Sequence, residues 1–154
     1  MVKRLSEDAR RLVLGSAAEE ARRRGDRRLG TDHLLLGLLH DPAGEPARAL
    51  GVDLESARAA DDALDRAALA AIGIDTAGLT LATDTAPRGR PPLTSSSRAV
   101  FKRAIDEARS ARTGRIETRH FLLALLDCER PDPAAELLQA VGVEASAVRA
   151  RLAG

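Results

Sequence analysis

The sequence predicts an all-α fold made by duplicating a four-helix unit with pseudo-two-fold symmetry, and three observations carry that reading. Alanine occurs 30 times and leucine 23 times, a helix-forming mixture poor in β-branched residues. Apolar residues recur at helical spacing in both halves of the chain. A ten-residue stretch beginning at Gly30 also returns 87 positions later, beginning at Glu117. With 154 residues, the chain is the right size for one domain or for two small units packed as one. Its core must be aliphatic, because Phe101 and Phe121 are the whole aromatic content.

The duplication rests on three blocks in the same order. Gly30-Thr31-Asp32-His33 and the leucine-rich run after it match Glu117-Thr118-Arg119-His120 and the run that begins at Phe121. Upstream, Glu20-Ala21-Arg22 matches Glu107-Ala108-Arg109 at the same offset. Downstream, Gly51-Val52-Asp53 matches Gly142-Val143-Glu144 at an offset of 91, so the first copy is about one helical turn shorter there. These blocks divide the single domain, 1–154, into repeat one with an extra helix (1–75), a linker (76–93) and repeat two (94–154).

Each element follows from local signals. In the first helix Ala9, Leu12, Val13, Ala17 and Ala21 form one apolar stripe, mirrored by Val100, Phe101, Ala104, Ile105 and Ala108. Ser6 and Thr94 stand just ahead of those stripes, where N-caps belong. The second helix of each copy is apolar nearly all round and should be the buried centre of its repeat, with Thr31 and Thr118 suited to cap it. Asp41-Pro42 and the segment 129–133 stop it. A short third helix follows at 46–50 and 133–141, closed by Gly51 or Gly142. The fourth spans 54–60 and 146–152. In repeat one it runs on as an alanine-rich helix over 61–72, with Leu64, Ala67, Ala68, Ala71 and Ile72 on its apolar side. The glycines, threonines and prolines of 76–93 then read as a linker, with Leu79 and Leu81 able to pin it to the core.

Composition excludes several function classes. The 24 basic and 23 acidic residues leave a formal net charge of +1, so strong attraction to nucleic acid or to an anionic membrane is not indicated. One cysteine, Cys128, makes neither an internal disulfide nor a cysteine-based zinc site. Three scattered histidines lack metal-ligand spacing. No apolar run approaches the roughly 20 residues that span a bilayer, and the charged N-terminus lacks the apolar core of a signal peptide. A cytoplasmic protein without metal or cofactor is expected. Ser95, Ser96 and Ser97 have no glycine elbow around them, so a serine hydrolase is not supported either. A buried Cys128 is expected to fill space rather than act as a nucleophile.

Glu19-Glu20-Ala21-Arg22, the Gly30-Thr31-Asp32-His33 block with its leucines, and Leu50-Gly51-Val52-Asp53-Leu54 together resemble the Clp-repeat (Clp N) domain that precedes the ATPase modules of ClpA and ClpC unfoldases. The second copy resembles it more loosely, and the likeness covers all but the linker and the extra helix. The resemblance implies a non-catalytic module that receives Clp substrates, adaptors or degradation-tagged peptides. Neither Lys3 nor Lys102 follows a glycine as the lysine of a phosphate-binding loop must, so ATP hydrolysis by that route is excluded for these residues. A freestanding adaptor, decoy or competitor of a Clp unfoldase is therefore expected.

In each copy a basic turn leads into the start of the buried helix, where unpaired N–H groups and the positive dipole end suit an anion. The turn carries Arg22, Arg23, Arg24, Arg27 and Arg28 in one copy, and Arg109, Arg112 and Arg115 in the other. In the ClpC branch the resemblance implies phosphoarginine binding here, with the acid of the G-T-E-H block on the guanidinium. That acid position is Asp32 in copy one and Arg119 in copy two, where the inverted charge would favour a carboxylate or bare phosphate. Candidate binding residues are Thr31, Asp32, His33, Thr118, Arg119 and His120, with the two histidines expected to pack or bond near the helix start. The resemblance also implies that cyclic peptide antibiotics could be sequestered. Leu5 and Leu93 stand where the relatives carry phenylalanines, and the lost rings weaken that contact.

Overall fold

The computed structural model describes residues 4–74 and 90–154. Repeat one begins with a continuous helical rod, α1, made of Glu7–Ala9, Arg10–Ser16 and Ala17–Arg23. Then come α2 (Thr31–Leu38), α3 (Glu45–Leu50) and α4 (Leu54–Ala71). Repeat two supplies α5 (Ser95–Ser110), α6 (Thr118–Leu126), α7 (Pro133–Ala140) and α8 (Ala145–Ala153). Among the described residues the architecture is all-α, as expected from the alanine and leucine content. Most of the expected linker, positions 76–89, lies outside the described residues.

The predicted stripes form the core. Ala9, Leu12, Val13, Ala17 and Ala21 are buried on α1; Val100, Ala104 and Ala108 are buried on α5, with Phe101 and Ile105 packed partly against them. The Phe101 and Phe121 rings meet edge to face with centroids 5.0 Å apart, joining α5 to α6. Leu34, Leu35, Leu36 and Leu38 of α2 and Leu122, Leu125 and Leu126 of α6 are buried at the centre of their repeats. Ser6 and Thr94 cap α1 and α5 as expected, their hydroxyls accepting from the Ala9 and Ser97 amides.

Three local features differ from the expectation. The middle of α1, Arg10–Ser16, is π-helical, so the Ala17 amide donates to the Leu12 carbonyl. Gly37 of α2 sits directly on that bond: a Cβ there would lie 2.5 Å from the Leu12 oxygen and 2.9 Å from the Ala17 nitrogen. The wider π turn and the missing side chain together let α1 and α2 touch backbone to backbone. Secondly, the fourth helix runs on as expected, over Leu54–Ala71, but of the apolar side expected on its second half only Leu64 packs partly against the core, and Ile72 is 72% exposed. Thirdly, the helix caps of α2 and α6 are not the threonines. Gly30 and Glu117 are the N-caps, and Thr31 and Thr118 are already the first helical residues.

The repeats interlock through two isolated parallel bridges, Leu5 with Ile116 and Leu29 with Leu93. Each joins the residue ahead of one repeat's first helix to the turn of the other repeat. Leu5 and Leu93 are half-buried and pack against the core.

Candidate functional site

The two helix starts share one scaffold. In each, the histidine three residues beyond the N-cap turns back, and its Nδ1 accepts from the cap residue's backbone N–H: Gly30 to His33 at 2.9 Å and Glu117 to His120 at 2.8 Å. This satisfies a donor that the helix start leaves without an intrahelical partner. It also fixes the tautomer, because a neutral imidazole whose Nδ1 accepts must carry its proton on Nε2. The expected bonding of His33 and His120 near the helix start is thus what holds the turn, and both rings are buried.

Beyond this scaffold the two starts diverge. In repeat one Thr31 is fully buried: its hydroxyl donates to Asp132 Oδ1 at 2.6 Å and accepts from the Ala134 amide at 3.1 Å. It ties the start of α2 to the start of α7 in the other repeat. Asp32 is 7% exposed and already holds a guanidinium, that of Arg24, at 3.0 Å. Arg24 is also in contact with Asp61, 3.1 Å from Asp65 and 3.6 Å from Asp26. Burial works against the Arg24 charge, but the carboxylates around it more than offset that and hold the guanidinium protonated. Burial, then the nearby charge of Asp32, pushes the Asp61 carboxyl well above the usual range, with Arg24 opposing. His33 Nε2 lies 2.8 Å from Asp26 Oδ2; burial opposes its charge, yet Asp26 and Asp32 raise its pKa. The start of α2 is therefore filled from within: Thr31 and Asp32, both candidate binding residues, are buried in contacts with the chain's own groups.

In repeat two the start stays open. Thr118 and Arg119 are half-exposed. The Arg119 guanidinium bonds the Leu152 carbonyl at 2.5 Å and lies 3.7 Å from Glu45, so it leans towards α8 and α3. Position 24 is answered by Ala111 and position 26 by Thr113, whose hydroxyl bonds the Ala108 and Arg115 carbonyls. His120 Nε2 is buried without a hydrogen-bond partner among the described residues, and burial depresses its pKa. A cleft of about 490 Å³ opens here, lined by Ala111, Thr113, Glu117, Arg119 and His120 among others.

Other polar groups are structural. Glu20 is fully buried. Burial alone would raise its pKa, but bonds from Arg58, His40 and Arg23 bring it below the usual value. His40 is thereby accounted for at 2.9 Å from Glu20. Burial pushes the Cys128 thiol up to about 12, which leaves it protonated at neutral pH and fits the space-filling reading. Among the described residues no group of His, Cys, Asp and Glu could hold a metal ion, and no helix is long and apolar enough to cross a membrane.

The model of the family described as "Clp repeat (R) N-terminal domain" matches residues 4–85 and 92–154. This chain belongs to the Clp N-terminal domain family. It is homologous to the substrate- and adaptor-binding module of ClpA and ClpC, a part of those larger proteins that is not the catalytic one. Over 155 aligned residues it is 28% identical to an ATP-dependent Clp protease ATP-binding subunit ClpA homolog of Cyanidium caldarium and 28% identical to the chloroplastic chaperone protein ClpC2 of Oryza sativa subsp. japonica. Both alignments cover 99% of this chain but only 16% and 15% of those relatives. In fold it is similar to the N-terminal domain of ClpD from Arabidopsis thaliana, with a TM-score of 0.67 and 23% identity, covering 98% of this chain and 96% of that one. It is also similar to the N-terminal domain of Hsp104 from Candida albicans, with a TM-score of 0.62 and 16% identity, covering 97% and 89%.

Sequence reasoning named Arg24 in the basic turn but not its partners Asp61 and Asp65, and it missed Asp132 and Thr113. Asp61 and Asp65 reach Arg24 from 37 and 41 positions away, and no local pattern marks them. Thr113 was findable: set against Asp26 at the offset of 87, it removes the one carboxylate that serves the histidine.

Proposed function

We propose that this Clp N-terminal domain receives proteins or peptides for a Clp unfoldase and performs no chemistry of its own, acting as a free adaptor, decoy or competitor in the compartment where that unfoldase works. The observation that carries the reading is the pairing of two helix starts on one interlocked scaffold, one filled by its own Arg24 and the other open. Support also comes from the family match across both repeats.

Phosphoarginine is disfavoured as the ligand in either copy. At Asp32 an incoming guanidinium must displace Arg24 from a set of buried carboxylates, and at Arg119 it meets a like charge. The open start in repeat two carries Arg119 beside Glu107 and Glu117, so it presents both signs of charge. Leu5 and Leu93, the positions for cyclic peptide contact, are half-buried, with their backbones in the bridges and their side chains packed partly against the core.

The test adds the purified domain to a ClpC–ClpP reaction degrading an unfolded model protein. Saturable inhibition marks a decoy or competitor, and stimulation marks an adaptor. No effect on the rate, together with no binding to either the unfoldase or the model protein, would overturn the proposal. A parallel titration with free phosphoarginine is expected to show no binding.

A further inference from the structure

The fourth helix of each repeat is anchored by two buried residues about one turn apart. In α8 they are Val148 and Leu152, and in α4 they are Ala57 and Asp61. The offset of 91 that aligns the Gly-Val blocks sets Ala57 against Val148 and Asp61 against Leu152. Repeat one therefore places a carboxyl where repeat two places an apolar side chain. A buried acid at a position that folds with leucine is costly unless it is partnered or neutral. The exchange makes the anchor of α4 titratable.

Its partners do not balance the charge. Arg24 Nη1 donates both to Asp32, at 3.0 Å, and to Asp61. Arg24 Nε lies 3.6 Å from Asp26, and Nη2 lies 3.1 Å from Asp65. One guanidinium thus faces four carboxylates. His33, 3.8 Å from Asp32 and 2.8 Å from Asp26, adds at most one more positive charge. Asp26 and Asp65 are partly exposed to water, but Asp32 and Asp61 are buried together on the same nitrogen. Two carboxylates held this way resist ionising together, so the pair takes up a proton and shares it.

The second half of α4 hangs on this cluster. Beyond Asp61 the helix has no buried residue among those described, and Leu64 packs only partly on the core. Arg23 lies 3.4 Å from Asp62 at the surface. The neighbouring α7 meets the helix one turn earlier, with the apolar Leu137, Leu138 and Val141 around Ala57.

We infer that the Asp32–Asp61 pair is a proton-operated latch, which holds the second half of α4 over the start of α2 while it carries one proton and lets that half loosen when the proton leaves. The direction follows from linkage. Burial first, and then the Asp32 charge, push the Asp61 carboxyl up to about 7, against about 3.9 in an unfolded chain. The stability this proton adds is present in full below about 3.9 and is lost as pH rises through about 7.

The experiment follows carboxyl-carbon signals and amide exchange by NMR on the isotope-labelled full chain, from about pH 4.5 to about 8.5, a range that spans both pKa values. The Asp32 and Asp61 carboxyl carbons should report one shared proton leaving near neutral pH. The opening constant of amides 62–71, corrected for exchange in the free peptide, should rise about tenfold per pH unit and level off above about pH 7. Asp61→Asn imitates the protonated acid, and Asp61→Leu installs the residue of repeat two. Both should abolish the rise while the His33 ring still titrates. A pair already fully ionised at about pH 5, or an opening constant unchanged from there to about pH 7, would overturn the inference. So would an equally steep rise in both variants, which would assign the effect to His33. Loss of the helical fold in both variants would show Asp61 to be a fixed structural charge, and would overturn it as well.

Discussion

Replacing Gly37 with alanine sets two opposing effects against each other, and the structure decides the sign. Helix propensity favours the alanine by about 1 kcal/mol. Against this, the new methyl would lie 2.5 Å from the Leu12 carbonyl oxygen, 2.9 Å from the Ala17 nitrogen and 3.1 Å from the Ala17 Cα. All three are backbone atoms, so no side chain can rotate out of the way. The methyl would also press on the π-helical bond between Ala17 and Leu12. Overpacking of this kind costs about 1–3 kcal/mol, and an obstacle made of backbone belongs at or above the upper end. The net expectation is a loss of about 2 kcal/mol or more, which for a chain of this size lowers Tm by at least about 4–8 °C. Thermal unfolding followed by circular dichroism, checked by urea melts with an unchanged slope, measures it. Repeat two supplies the control, since its equivalent position is already Ala124. There Ala124→Gly should destabilise by about 2 kcal/mol, through propensity and a lost buried methyl. A Gly37→Ala protein more stable than wild type would refute the close backbone contact and the role assigned to the π turn.

Other substitutions test the links between the repeats and the filled helix start. Thr31→Val keeps the shape but strips Asp132 and the Ala134 amide of a shared hydroxyl, and should cost about 1–3 kcal/mol in chemical denaturation. Arg24→Met leaves the carboxylates of Asp32 and Asp61 facing each other without their cation, and should cost about 3–5 kcal/mol at neutral pH. Much of that loss should return on acidification, because Asp61 is already biased towards its protonated form. The folded-state pKa of His33 is raised, so its contribution is fully present below the unfolded value of about 6.5 and fades as pH rises through the folded pKa. Asp26→Asn removes the hydrogen-bonding one of the two carboxylates that lift it and leaves Asp32, so stability measured across that window should lose much of this dependence.

Much of the fold was legible because it is written in short-range periodicity. The stripe from Ala9 to Ala21, its counterpart on α5, and the caps at Ser6 and Thr94 each follow from residues a few positions apart. What escaped was decided by partners far along the chain. Thr31 has the composition of an N-cap, but a stronger use for its hydroxyl lies at Asp132, on the other repeat. The capping role passed to His33 and His120, which a search for Glu or Gln at that position overlooks. The apolar side of 61–72 was read correctly as a pattern. Leu64 reaches the core only in part, and beyond it Ile72 stands in solvent. At the site, the turn was visible in the sequence but its occupancy was not. Asp32 looked available until Arg24 and Asp61 were seen to enclose it.

The asymmetry between the two helix starts is tested most directly by titrating both histidines in one NMR series on the full chain. His33, with Asp26 on its Nε2, should titrate above about 6.5 with a slowly exchanging ring proton, and His120, buried without such a partner, should titrate below it. Two histidines with the same pKa, or with their order reversed, would show that the starts are alike and that neither is the open one.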